Sequence, residues 1–297
     1  MLVALFVGKR NSRPWIVSDA LWSLIEPLLP EPGPKLVAGR PRVPDRQALC
    51  GILFVLHTGI QWEYLPQELG FGSGVTCWRR LAAWNEAGVW DRLHVVLLSK
   101  LRAAKQLDWS WAVIDSSHVR AGSAGPKSGP SPVDRARPGS KHHVLVDGKG
   151  IPLAVSLTGG NRNDVTQLLP LLAKVPSIAG LVGRPRRRPD AVLGDRGYDH
   201  DKYRRLVRAL GIKPVIARRG VPHGSGLGVH RWVVERTIAW LHGFRRLRVR
   251  WERRDDIHEA FLGLHLPRGG EHRRSAPVLS WPHDLQLHPD HQPAAST

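Results

Sequence analysis

The sequence has little cysteine, little tyrosine, a single methionine and far less acid than base. Cys50 and Cys77 are its two cysteines in 297 residues, and neither belongs to a C-x-x-C pair. That excludes a disulfide scaffold and a cysteine-based zinc site. No apolar run approaches the ~18 residues of a membrane span, so no membrane partner is expected. The opening stretch from Met1 to Gly8 is apolar, but basic residues follow it and no small-residue cleavage site does. It does not have the flanks of a secretion signal. No G-x-x-x-x-G-K-[ST] loop occurs, which removes the commonest nucleotide-phosphate cradle.

What is present is positive charge. Asp and Glu number 25 against 44 Lys and Arg, a formal charge of +19, and of the basic residues only ten are lysine. A GC-rich genome explains the choice of Arg over Lys but not the net charge. Arginine pairs bidentately with phosphate, so the excess points to a nucleic-acid partner. The expected compartment is the cytoplasm, in association with the nucleoid. Apolar residues at 42% and charged residues at 23% are an ordinary balance for a folded globular chain.

The texture changes along the chain. Residues 13–105 show helical signals. Ser18 can cap a helix with Leu21, Trp22, Ile25, Leu28 and Leu29 on its apolar face, and Pro30, Pro32 and Pro34 end it. Pro44 opens a second helix carrying Leu49, Ile52, Leu53 and Leu56, and Gly59 stops it. A third contains Trp78 to Trp84, and Gly88 separates it from a fourth running from Trp90 to Lys105. Short helices joined by glycine turns, with Arg79 and Arg80 on one of them, suit a helix-turn-helix-like all-α DNA-binding domain. A plain helical bundle with a solvated arginine pair fits the pattern equally well.

Residues 110–263 alternate between strand and helix signals. Trp111–Ile114 is a short strand. Residues 122–140 have almost no apolar content and suggest a flexible loop. Val144–Val146 and Ile151–Leu157 flank the hairpin turn Asp147-Gly148-Lys149-Gly150. A helix near Val165–Leu172, a strand at Ala191–Leu193, a helix over His200–Leu210, a strand at Lys213–Ala217 and a long helix over Arg231–Leu247 follow. This is an α/β pattern with a mixed sheet. From 264 to 297 periodicity disappears, which suggests a disordered or frameshifted tail.

Asp115 and Asp195 each follow a strand, and carboxylates at the ends of neighbouring strands meet in one crevice. Glu235 lies on the long helix, with Arg231 four residues before it and His242 seven after it on the same face. Two Asp and one Glu can hold two Mg²⁺ ions through oxygen. The same residues have plainer uses. Asp after a strand is a common turn or cap residue, and Arg231 with Glu235 could be a surface pair. The scattered histidines, from His142-His143 to His291, share no metal-ligand spacing.

Three blocks carry a resemblance: Val113-Ile114-Asp115-Ser116-Ser117-His118, Leu193-Gly194-Asp195-Arg196-Gly197-Tyr198-Asp199, and Arg231-Trp232-Val233-Val234-Glu235-Arg236 with Phe244-Arg245-Arg246-Leu247-Arg248. With Trp15 to Pro30 and Thr158 to Asp164, they resemble bacterial insertion-sequence transposases of the DDE class, insertion sequence 5 family, over about residues 13–263. The resemblance implies an RNase H-like catalytic domain behind an N-terminal helical DNA-binding domain. It implies that Asp115, Asp195 and Glu235 are catalytic and hold two Mg²⁺ ions, with Mn²⁺ a substitute. Cleavage at the element's ends and strand transfer to target DNA would follow. The implied partners are double-stranded DNA, both terminal inverted repeats and target, and further copies of the chain assembled on it.

The family's signature around the glutamate runs Tyr, Arg, Glu, Lys. Here Arg231 and Glu235 stand in place, but Gly228 has the Tyr position and His242 the Lys position. Arg79, Arg80, Arg231, His242, Arg245, Arg246 and Arg248 are the expected DNA contacts, with Arg184, Arg186, Arg187, Arg188, Arg250, Arg253 and Arg254 as further backbone contacts. A degenerate copy that binds DNA without cutting, and a nuclease that cuts without joining, are the rival readings.

Overall fold

The computed structural model describes residues 13–33, 41–220 and 228–264, with 228 and 229 as backbone alone. The expected tail lies outside these residues, apart from its first residue, Leu264.

The first four helices form where local chemistry predicts. α1 (Asp19–Ile25) is capped by the Ser18 hydroxyl, which accepts the Leu21 N–H. α2 (Asp45–Thr58) ends at Gly59, which takes the left-handed conformation at φ 73°. A Cβ there would also stand 2.8 Å from Arg245 Cβ. α3 (Gly74–Glu86) is capped by Ser73, and Gly74 is required because a Cβ would overlap the Trp62 carbonyl. α4 (Val89–Ala103) follows at once through Gly88.

Seven strands make one mixed sheet. β1 (Ala112–Ala121) lies at its centre; β2 is the two-residue Gly129–Pro130, and β3 (Pro138–Asp147) and β4 (Pro152–Gly159) form a hairpin. α5 (Leu168–Lys174) leads to β5 (Ala191–Gly194), and α6 (Asp201–Ala209) to β6 (Lys213–Ile216). The five main strands lie in the order β4-β3-β1-β5-β6. β3 is antiparallel to its two neighbours, whereas β5 and β6 run parallel to β1. This is the RNase H-like order. α7 (Gly228–Gly243) and α8 (Arg245–Arg248) then precede β7 (Val249–Arg250), which joins the far end of β1, and α9 (Asp255–Leu264) closes the described fold.

Period-2 alternation sends β1 side chains to both faces. Val113 joins a core built with Val144, Val146, Leu193, α7, α9 and the first four helices. Ala112 and Ile114 join a second core with Leu145, Val192, Leu98 and Leu101 of α4, and the helices α5 and α6. The helices of the 13–105 segment therefore share one apolar cluster with the sheet, in which Trp62 stacks on the buried Phe261 at 5.7 Å.

Three expectations need correction. β1 does not stop at Ile114. Its polar half, Asp115 to Arg120, stays in the sheet because it pairs with β3 as far as Arg120↔Gly139. The 122–140 segment is not shapeless: β2 pairs with β3, Arg120 bonds Asp134 at 2.7 Å, and Lys127 reaches Asp255 and Glu259 of α9 at 3.0 and 2.8 Å. Ion pairs and backbone bonds fix it where apolar contacts are few. The long helix breaks at Phe244, whose extended backbone lets its ring pack on His57 of α2 at 4.6 Å.

Candidate active site

Asp115 is the second residue beyond the last parallel pair of β1 and β5, Val113↔Leu193, and Asp195 directly follows β5. Carrying the register two residues further sets the two aspartates side by side. β5 leaves β1 after Val113, and β7 joins only at Arg120. The edge of β1 between them is a notch, and α7 lies along it.

Backbone N–H groups aim both aspartates. Asp115 Oδ1 accepts from its neighbour Ser116 at 2.8 Å, and Asp195 Oδ1 accepts from Gly197 at 2.8 Å. The second oxygen of Asp115 faces Arg231 Nη2 at 3.3 Å, and the same nitrogen stands 3.8 Å from Glu235 Oε1. The Asp115 side chain is only 16% exposed, against 60% for Glu235. Burial raises the Asp115 carboxyl above its usual range; the Ser116 N–H and Arg231 oppose the rise, and the Asp195 charge adds to it. Among the described residues no three His, Cys, Asp or Glu side chains stand close enough together to hold one ion. Arg231 fills the space between Asp115 and Glu235.

His242 faces the same notch, with Nε2 3.3 Å from the Ser117 hydroxyl. Burial, and then Arg248, lower its pKa. At neutral pH it is therefore a neutral hydrogen-bonding ring and does not supply the charge of the family's lysine. Tyr198 belongs to the Asp195 sequence block but was assigned no role there. It is buried, and burial together with the charges of Asp115, Asp164 and Asp195 holds its phenol protonated. Its ring packs 3.3 Å from where a Cβ on Gly194 would lie. Asp199 has a supporting task. It takes Arg204 Nη2 at 2.7 Å and the Arg219 N–H at 2.7 Å, tying the Asp195 loop to α6 and the end of β6.

The other expected DNA contacts divide. Arg79, Arg245 and Arg248 are exposed. Arg80 is buried and paired with Asp45, so it ties α3 to α2 and is not a free phosphate ligand. Arg246 is likewise buried, bonding Glu252 at 2.6 Å and the Ile60 carbonyl at 2.8 Å. Arg250 is enclosed and holds Ser140 and the carbonyls of Glu252 and Arg253. Arg186 and Arg187 bond local carbonyls at Trp109, Ala173 and Val175.

The family described as the transposase DDE domain matches residues 110–266, more than half of the chain. The chain belongs to this family. A second family, described as a candidate transposase of the IS4/5 family, matches residues 17–94. A protein named as a candidate transposase for insertion sequence element IS402 of Burkholderia cepacia is 65% identical over 139 residues, 47% of this chain and 66% of its own length. An uncharacterised 16.2 kDa protein of the same insertion element is 60% identical over 119 residues, 39% of this chain and 81% of its own. The chain thus spans just under two thirds of the first relative. Among solved structures, the Mos1 mariner paired-end complex with Mn is 14% identical, covers 77% of this chain and 82% of its own, and has a TM-score of 0.24. A simian T-cell lymphotropic virus intasome reaches 0.28 at 15% identity, over 59% of this chain and 62% of its own. Among the described residues no helix is long and apolar enough to cross a membrane.

Proposed function

We propose that this transposase-family chain cuts DNA at the ends of an insertion sequence and joins the freed ends to target DNA. One observation carries the reading: β1 and β5 run parallel up to Val113↔Leu193, a register that carried two residues on pairs Asp115 with Asp195, and Arg231 of α7 stands 3.3 Å from Asp115 and 3.8 Å from Glu235. Asp115, Asp195 and Glu235 are the residues that would hold divalent ions, two Mg²⁺ with Mn²⁺ as substitute. The donor set fits, because all three supply hard oxygen and Asp115 and Glu235 already share a cation in the Arg231 guanidinium. Bound ions would stabilise charge on the attacking and leaving oxygens of an in-line displacement.

The protein's part is positioning. The Ser116 and Gly197 N–H groups fix one oxygen of each aspartate, and the second oxygen of Asp115 faces Arg231. A water oxygen attacks the phosphodiester at the element's end, and the leaving oxygen departs as a 3′-hydroxyl. That hydroxyl then attacks a phosphodiester of the target, whose own 3′ oxygen leaves. Arg231 and His242 of α7, with the exposed Arg245, Arg248 and Arg79, would hold phosphates. The +19 charge supplies affinity without sequence choice. Joining two ends requires at least two active sites, so assembly of copies on DNA belongs to the reading, as do a cytoplasmic location and an N-terminal helical region that contacts the element's ends.

The test is cleavage of a labelled duplex carrying the element's end, in Mg²⁺, by the wild type and Asp195→Asn. Nicking at the element boundary by the wild type, reduced more than about a hundredfold in the variant with retardation retained, is the expected result. Retardation without cutting by either protein would replace it with the reading of a copy that only binds DNA. Cutting without joined product would make the protein a nuclease.

A further inference from the structure

Arg231 stands where a bound cation would compensate the carboxylates. Its Nη2 is 3.3 Å from Asp115 and 3.8 Å from Glu235, and no three potential ligands among the described residues converge on one point. An ion seated there would meet a guanidinium already in its space, and like charges at such range repel strongly in a partly buried site. The guanidinium is not locked. The Arg231 side chain is 39% exposed, and its hydrogen bond to Asp115 is the long one at 3.3 Å. A phosphate offers it a better partner, since arginine takes phosphate oxygens bidentately.

We propose that Arg231 is a DNA-responsive latch. Without DNA its guanidinium bridges Asp115 and Glu235 and competes with a divalent cation. The DNA backbone draws it onto a phosphate and opens the space between the two carboxylates. DNA and metal then bind with positive coupling, and by linkage each tightens the other equally. The benefit is chemical: the hydrolytic centre is assembled only on its substrate. This inference rests on the reading of Asp115, Asp195 and Glu235 as the metal-holding carboxylates.

The experiment is Mn²⁺ binding, followed by the electron paramagnetic resonance of the free ion. It uses the full chain with and without a mixed-sequence duplex; the signal of Asp115→Asn with the same duplex corrects for Mn²⁺ held by DNA phosphates. In the wild type, duplex should tighten Mn²⁺ about tenfold, within the usual range of coupling between sites. Arg231→Gln should bind Mn²⁺ about that much more tightly than the wild type in the absence of DNA, and should gain little from duplex. Arg231→Lys, which keeps a mobile cation, should retain most of the coupling. In the absence of metal, Arg231→Gln should also melt earlier than the wild type, because two carboxylates lose their shared counter-charge. Equal Mn²⁺ affinity in the wild type and Arg231→Gln, with binding lost in Asp115→Asn, overturns the latch and leaves the metal site standing. Wild-type Mn²⁺ affinity in Asp115→Asn overturns the metal site itself.

Discussion

Arg79 and Arg80 are adjacent and chemically identical, yet only Arg79 is exposed. Helical geometry explains the difference. Cys77, Arg80, Leu81 and Trp84 form the buried stripe of α3, and Arg80 meets Asp45 within it. Arg246 repeats the case with Glu252. Removing one partner of such a pair strands the other charge in the interior. Arg246→Ala should therefore cost about 3–5 kcal/mol in chemical denaturation. Arg79→Ala should change stability by less than about 0.5 kcal/mol. It should instead lower the slope of log affinity against log salt by about one, as the loss of a phosphate contact does. Arg80 was expected on DNA and is buried instead, although the apolar residues that flank it at helical spacing carried the signal. The burial of Arg246 had no such signal, because its partners, Ile60 and Glu252, come from separate loops.

At the scale of elements, three of them bring histidines together in a dry place. His142 of β3 and His258 of α9 are fully buried with Nε2 atoms 2.8 Å apart, so one ring donates and the other accepts. The His242 ring of α7 lies 6.4 Å from that of His142, tilted by 59°. Burial, first among the causes, holds His258 at about 3, while His94 of α4 and His143 of β3 each sit at about 4 for the same reason. These pKa values are depressed on folding, so the unfolded chain binds more protons below its ordinary histidine value of about 6.5. Stability should fall as pH drops through that value, with His94 and His143 each withdrawing on the order of 3 kcal/mol by pH 4. Asp147, raised by burial to about 6, favours the folded state as it protonates and offsets part of the loss. Denaturant midpoints between pH 7 and pH 4 measure the net fall; a flat profile would mean that the histidines are solvated. The limits of α1 to α4 were legible because caps and glycines mark them. The far half of β1 was not, because its residues Ser116 to His118 and their partners Lys141 to His143 are polar, and pairing rather than alternation keeps them in the sheet.

For the whole molecule, the cluster that joins α1–α4 to the sheet predicts a single transition. Tryptophan fluorescence, which samples both the first four helices and the sheet through Trp109 and Trp111, and far-ultraviolet dichroism should lose signal together on denaturation. Phe261→Ala, at the contact with Trp62, should lower both midpoints by an amount equivalent to about 3–5 kcal/mol. Separate transitions would show that the helical segment folds alone. Asp115, Asp195 and Glu235 stood out as candidates because each lies in a short local sequence block, although Asp115 falls within β1 and not at its end. The guanidinium between two of them was not legible, because Arg231 and Asp115 stand far apart in the chain and meet only when α7 enters the notch.

The docking of α9 on α3 and α4 also sets a clock. Asn85 reaches the Asp256 carbonyl, a contact between residues 171 positions apart. While the ribosome adds that length at ~5–20 residues per second, the apolar faces of the first helices stay uncovered for about ten seconds or more. Trp62, Trp84 and Trp90 are then open to chaperones or to other nascent chains. Translation speed and chaperone supply, and not transcription alone, would set how much active protein a cell accumulates.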